Sequence, residues 1–368
     1  MVTVHIIYNN FYDRQGNNLS VGGIQTYLTN LAKLILKLGY NASIYQSSDV
    51  DFVRDYFGIT VYGCKSNPTK STSVLLKKCK GNAKKDDLVI FGTDEITKKT
   101  GLKTISIQHG ISWDKPIDCS NGFSLFYQYV KKAYLAWKRA KLYKNIDALV
   151  CVDYNFINWF RAVFPNNKTN LFAIPNFSTV PPLNDKKQEC NKISIIFARL
   201  LFVYRGTRLF ANAIKKVLNT YPNVDVTIAG EGPDEKWLRE SLKEYSNVNF
   251  IKYQSEDSLL IHKDKQIAIV PTLGSEGTSL SLLEAMASSC SVICTNVGGM
   301  TNIVLDHFNG IIISPNEKEL YSSIAELIEN KDIRKELSLN AYRTVSSSFS
   351  LESWSKKWEK VINAIIES

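Results

Sequence analysis

Residues 2–45 constrain the fold more than any other part of the chain, because they spell one complete crossover. Residues 2–7 are a strand-length apolar run, followed by a loop rich in Asn and Gly. From Gly23 the apolar side chains Ile24, Leu28, Leu31, Ile35 and Leu38 recur at helical spacing, and Gly39 supplies the stop. Residues 42–45 then return to strand. Such a βαβ unit forces parallel pairing and a right-handed crossover.

The alternation continues, with strands expected at 59–61, 88–91, 104–107 and 148–152. Between them, 67–87 is Lys-rich and weakly periodic and reads as a solvated helix with loops. Residues 174–185, IPNFSTVPPLND, hold three prolines and mark a linker. Beyond it the pattern restarts, with strands at 193–197, 224–229, 248–251, 267–270 and 311–313 and helices at 207–218, 235–245, 317–330, 331–345 and 351–366. The fold class is therefore α/β, with two doubly wound Rossmann-like domains facing across a cleft. Their expected bounds are 1–175 and 191–345, with a linker over 176–190 and a closing helix over 346–368 that crosses back to the N-terminal domain. In such sheets ligands bind beyond the carboxyl ends of the strands.

At 368 residues the chain exceeds one ordinary core, and 44% apolar with 22% charged residues describes a soluble globular protein. Its apolar runs fall far short of the roughly 20 residues of a membrane span. No basic segment followed by a signal-type apolar region opens the sequence, so export is not expected. Seven cysteines without a CxxC pair read as reduced thiols in a cytoplasmic protein. Cys290 and Cys294 straddle a helix-to-strand turn without His partners, so no metal is expected there. The net charge of +10 is uneven: residues 1–180 hold 23 Lys and Arg against 12 Asp and Glu, or +11, leaving −1 for the remainder. The first half is thus expected to face something anionic, whether a membrane surface, a phosphorylated acceptor or nucleic acid.

Residues 272–299, TLGSEGTSLSLLEAMASSCSVICTNVGG, join a buried-type strand to a small-residue loop with Glu276, then to a helical segment with Glu284. A loop that leaves a strand and opens a helix offers free N–H groups and a positive dipole end to an anion. Two flanking carboxylates suit a ligand with phosphate in its middle and hydroxyls at both ends, which describes a nucleoside-diphosphate sugar. Other landmarks occur in order around this stretch. They are Gly22-Gly23 opening the first helix, Gln108-His109-Gly110 at a strand end, Ile174-Pro175-Asn176, Phe197-Ala-Arg199-Leu200 with Arg205-Gly206, Ile228-Ala-Gly230-Glu231-Gly-Pro233, and Thr295-Asn-Val-Gly-Gly299. Together they resemble, over essentially the whole length, the retaining GT-B glycosyltransferases of family 4.

The resemblance implies that a nucleotide-sugar donor binds the C-terminal domain and an acceptor the N-terminal one. It assigns Arg199 and Arg205 to the diphosphate, where fixed cations stabilise the charge that grows as the glycosidic bond breaks. Glu284 would accept hydrogen bonds from the ribose, while Glu276 and the backbone of Gly277, Thr278, Ser279 and Leu280 would meet the sugar and phosphates. Gly22, Gly23, Gly230 and Glu231 complete the implied donor site. His109 would lie near the donor sugar without acting as a general base, because the leaving phosphate helps deprotonate the acceptor in a front-face mechanism. No cofactor or metal is implied, since cationic side chains and helix dipoles take the place of Mg²⁺. The implied acceptor is a growing bacterial surface glycan of O-antigen (lipopolysaccharide) or capsule type, carried on a membrane lipid. The chain departs from the family pattern at Ala198, Phe177, Ser289 and Ser291, where glycine or proline is more usual.

Residues 123–144, FSLFYQYVKKAYLAWKRAKLYK, mix aromatics with Lys131, Lys132, Lys138, Arg139, Lys141 and Lys144. This segment fits a helix lying on an anionic bilayer at the inner face of the cell membrane, and equally a helix packed on its own sheet with a solvated basic face. Two other functions share parts of the pattern. A sugar-nucleotide epimerase on the same fold needs further carboxylates and a histidine pattern that the sequence does not show. A basic nucleic-acid-binding protein needs a recognition motif, and no zinc-finger or helix-turn-helix pattern is present, so nucleic acid is not expected as a partner.

Overall fold

In the computed structural model the first crossover is built from β1 (Thr3–Ile7), α1 (Gly23–Lys37) and β2 (Asn41–Ser48), with β1 and β2 parallel. The structure describes residues 1–20, 22–67, 71–111, 125–184, 186–189, 192–254 and 257–367. The described residues of 1–109, 122–174 and 355–368 form one unit, and those of 110–121 and 175–354 form a second.

In the first unit, β3 (Phe52–Tyr56), β4 (Ile59–Lys65), β5 (Leu88–Phe91), β6 (Lys103–Gln108), β7 (Ala148–Cys151) and β8 (Asn170–Ala173) complete a sheet of order β3-β4-β2-β1-β5-β6-β7-β8. Every pair is parallel except β3 with β4. The Lys-rich segment contains α2 (Ser71–Asn82), which is not wholly solvated: Leu75, Leu76 and Cys79 join the core formed by Tyr45, Val89 and Phe91.

The second unit holds β9 (Ser194–Ala198), β10 (Asp225–Ala229), β11 (Val248–Ile251), β12 (Ile267–Val270), β13 (Ser291–Thr295) and β14 (Ile311–Ile313), all parallel, in the order β11-β10-β9-β12-β13-β14. Alternate residues serve opposite faces, as strand geometry requires. Ile195, Phe197 and Ile269 enter one core, and Ile196, Ala198 and Val270 the other. The chain runs outward from β9 to β11 and returns to β12, so strand order reverses between β9 and β12. In doubly wound sheets the loops at the carboxyl ends of the strands beside such a reversal are where ligands bind.

Gly206 shows how tightly those loops meet. It precedes α5 (Thr207–Thr220) with φ of 83°, and a Cβ there would lie 1.9 Å from the carbonyl oxygen of Pro271, just past β12. Gly206→Ala combines left-handed strain with overpacking against backbone and is expected to cost about 2–4 kcal/mol. Urea denaturation checks this, and an unchanged midpoint would show that the contact yields freely.

Candidate functional site

Arg199 follows β9 directly, and its backbone N–H bonds to the Ala229 carbonyl at 2.9 Å. This fixes the start of the loop on the sheet, and Gly230 makes the approach feasible: a Cβ at position 230 would lie 2.0 Å from the Arg199 carbonyl oxygen. Gly230 therefore acts on backbone packing under Arg199. The Arg199 side chain is buried, with Nη1 donating to Ser279 Oγ at 3.2 Å and Ser281 Oγ at 3.3 Å, and Nη2 donating to Glu276 Oε2 at 2.5 Å. Its buried Nε has no hydrogen-bond partner among the described residues. Arg205, at the end of a short turn (Val203–Arg205), donates Nη1 to the same Glu276 oxygen. That turn is tied to the loop beyond β12 by the Leu273 N–H donating to the Tyr204 carbonyl at 2.8 Å.

Two guanidiniums thus share one carboxylate oxygen, which also accepts from Thr272 Oγ1 at 3.2 Å. Burial alone would raise the Glu276 carboxyl, but Arg199 and Arg205 outweigh it and hold the group below the usual carboxylate range. Ser279 caps α8 (Leu280–Ala287), its Oγ accepting from the Leu282 N–H at 3.4 Å. The guanidinium of Arg199 is therefore held at a helix N-terminus, where the dipole is itself positive. One carboxylate balances one of the two cations. The remaining positive charge and the helix end make this a site for a further anion.

Glu284 lies on α8, half-buried, one helical turn beyond Leu280. Burial pushes its carboxyl up to about 7, against a hydrogen bond with the Ser258 side chain that pulls it down. Tyr253, shortly after β11, is pushed up to about 12 by burial and then by the charge of Glu284, with Arg199 pulling the other way. Thr278 is held inward: its Oγ1 accepts from the Asn176 N–H at 2.7 Å and its carbonyl from Asn176 Nδ2 at 2.5 Å. Gly277, Thr278 and Ser279 are buried, and Leu280 partly so. Glu231 points into solvent and pairs with Lys252 at 3.1 Å, both about two-thirds exposed.

The structure brings Arg199, Arg205, Glu276 and Ser279 into one hydrogen-bonded cluster, with Glu284 on the same helix. His109, Gly22 and Gly23 belong to the first unit. Gly22 precedes α1 in extended backbone, and Gln25 behind it donates to the Asn10 carbonyl at 2.9 Å. His109 Nε2 lies 3.0 Å from the Gly92 carbonyl oxygen. A carbonyl only accepts, so Nε2 carries the proton and Nδ1 is left as an acceptor. Burial pulls the His109 imidazole down to about 4, against the Gly92 bond, so the ring is neutral at physiological pH. Tyr27 packs edge-on to it at 4.9 Å, and Trp358 Nε1 donates to the Tyr27 hydroxyl at 2.8 Å. Sequence reasoning missed Tyr253, Thr272 and Ser281, and it singled out Asn176 as a landmark without giving it a role. Tyr253 had one usable signal, its position just past a strand's carboxyl end, and Ser281 had another, its place in the first turn of the helix.

Residues 183–344 match the family model described as "Glycosyl transferases group 1". An uncharacterized glycosyltransferase of Haemophilus influenzae is 24% identical over 356 residues, spanning 93% of this chain and 97% of its own. The capsular polysaccharide biosynthesis glycosyltransferase CapM of Staphylococcus aureus is 25% identical over 168 residues, 44% of each chain. Among solved structures, HepE of Anabaena in complex with UDP-glucose superposes with a TM-score of 0.71 at 14% identity, covering 99% of this chain and 100% of that one. With two Rossmann-like sheets the chain has the GT-B fold, and residues 183–344, which carry the strand-end cluster of basic and acidic groups, are similar to the group 1 glycosyltransferases.

Proposed function

We propose that this transferase is a retaining hexosyltransferase that moves a sugar from a nucleoside diphosphate to a growing, lipid-linked bacterial surface glycan of capsule or O-antigen type. One observation carries the donor assignment: two guanidiniums and a helix N-terminus share a single carboxylate, leaving charge for a diphosphate. The names of CapM and of the UDP-glucose complex of HepE support the glycan and donor classes. As the sugar C1–O bond breaks, both bonding electrons go to the diphosphate, whose growing charge meets Arg199 and Arg205. The acceptor hydroxyl attacks C1 from the same face and gives its proton to the departing phosphate oxygen. Glu276 offers its carboxylate to a hydroxyl of the sugar. With two guanidiniums already placed for the leaving group, the reaction is metal-independent.

A thermal-shift panel of UDP, ADP, GDP and their sugars tests this. One diphosphate series is expected to stabilise the protein by about 3 kcal/mol at a hundredfold excess over Kd, with transfer unaffected by EDTA and the product keeping the donor's anomeric configuration. No shift with any nucleotide would remove the donor assignment, an inverted product would remove retention, and loss of transfer in EDTA would remove metal independence.

A further inference from the structure

In the first unit, α3 (Leu125–Tyr143) buries only small or inward-turned side chains, Ala136, Ala140 and Tyr143. The side next to that buried face carries Phe126, Val130, Tyr134 and Trp137, which are 77%, 50%, 55% and 48% exposed. Spacings of four, four and three residues align them in one stripe along the helix. Leu125, Tyr127 and Tyr129 are also exposed, and among the described residues no other helix exposes more than two large apolar side chains. Lys131 and Lys138 are exposed beside the stripe, and Lys141 Nζ sits 3.7 Å from the centre of the Trp137 ring. A contiguous aromatic face left in water marks a surface meant to be covered.

We infer that this face of α3 rests on an anionic lipid bilayer. Among the described residues no helix is long and apolar enough to cross one, so the contact lies in the interface plane. Tyr and Trp place an apolar body at the acyl boundary and a polar edge among headgroups, and flanking lysines reach lipid phosphates. The charge of +11 over residues 1–180 adds long-range attraction to an anionic surface and opposes pairing with a second copy. Lysine is also depleted from the centres of protein interfaces, which argues against a protein partner. The docking rests on this helix alone; only its purpose, presenting the site to a lipid-linked acceptor, rests on the transferase reading.

Co-sedimentation of the full chain with phosphatidylcholine vesicles, with and without phosphatidylglycerol, tests the inference. Binding is expected only with phosphatidylglycerol and is lost at high salt. Phe126→Ser with Trp137→Ser should weaken it at least about tenfold, and Lys131→Glu with Lys138→Glu about fivefold or more per lysine, with melting profiles unchanged because all four side chains are exposed. Equal binding by wild type and the apolar variant, or no binding to either vesicle, would overturn the inference. So would a dimer in light scattering that the apolar variant dissolves, since that would make the face a contact between copies. Nucleotide binding measured on the same variants should stay at the wild-type level, which separates failure of the membrane contact from failure of the transferase reading.

Discussion

Arg199→Met is expected to lower kcat by about 10²–10³-fold, the scale for removing one preorganised donor from a buried site of charge development. Nucleotide affinity should fall less, because the diphosphate gains its extra charge only as the sugar departs. The change also strands Glu276: its carboxylate is largely buried, and only Arg205 and the Thr272 hydroxyl then hold it. Breaking one arm of a buried charge cluster costs about 3–5 kcal/mol. The pH dependence follows from the direction of the Glu276 shift. Its folded-state carboxyl lies below the ordinary value, so it contributes stability that is present above the unfolded carboxylate range and is lost as pH falls through the depressed folded value. In the variant that depression shrinks, so less stability is lost on acidification, the loss is complete at higher pH, and the gap from wild type is widest near neutrality. Arg199→Lys should recover much of the stability but little of the rate, since an ammonium restores charge without the planar fork that reaches Ser279, Ser281 and Glu276 together. A folded Arg199→Met protein with wild-type turnover would take this residue out of the mechanism.

What the sequence could show of this cluster followed from where apolar runs end. Strands buried on both faces read as unbroken apolar stretches, as 267–270 does, so the position of Arg199 and Glu276 past strand ends was legible. The edge strand β3 was not, because its exposed Arg54 and Asp55 interrupt any apolar run. The family resemblance singled out Arg199, Arg205, Glu276 and Glu284, but not that both arginines close on one oxygen, since that depends on the Leu273 to Tyr204 backbone bond between two loops. Glycine was ambiguous for a physical reason. Gly230 reads the same whether a ligand or a neighbouring carbonyl fills the space of its missing Cβ, and the structure supplies the carbonyl. The proline-rich stretch at 174–185 hid an anchor as well: Phe177 is buried with its ring 4.5 Å from that of Trp354, a partner far beyond any local window.

For Glu284 the expected result is a proton released when the donor binds. The half-buried carboxyl is pushed up to about 7 in the free protein, so near neutrality a substantial fraction is protonated. Two ribose hydroxyls donating to it favour the charged form and drive the proton off. Calorimetry in buffers of different ionisation enthalpy should therefore register proton release near pH 7, with binding weakening by up to about tenfold per pH unit below that value. Folding responds with the opposite sign. A carboxyl whose folded value is raised above its unfolded one holds a proton that the unfolded chain has lost, so stability falls as pH rises from about 4.5 to about 7 and stays lower above. Glu284→Gln removes that decline. Above pH 7 the variant should be more stable than wild type by on the order of 1–2 kcal/mol, after allowance for partial exposure. At the same pH its nucleotide Kd should rise about 10–100-fold, because an amide replaces a charged acceptor of two hydrogen bonds. A protein that gains stability while losing ligand cannot have lost ligand by unfolding, which makes the pair of measurements decisive. If nucleotide affinity in Glu284→Gln matches wild type at alkaline pH, the ribose lies elsewhere and the raised carboxyl is only a cost of burial.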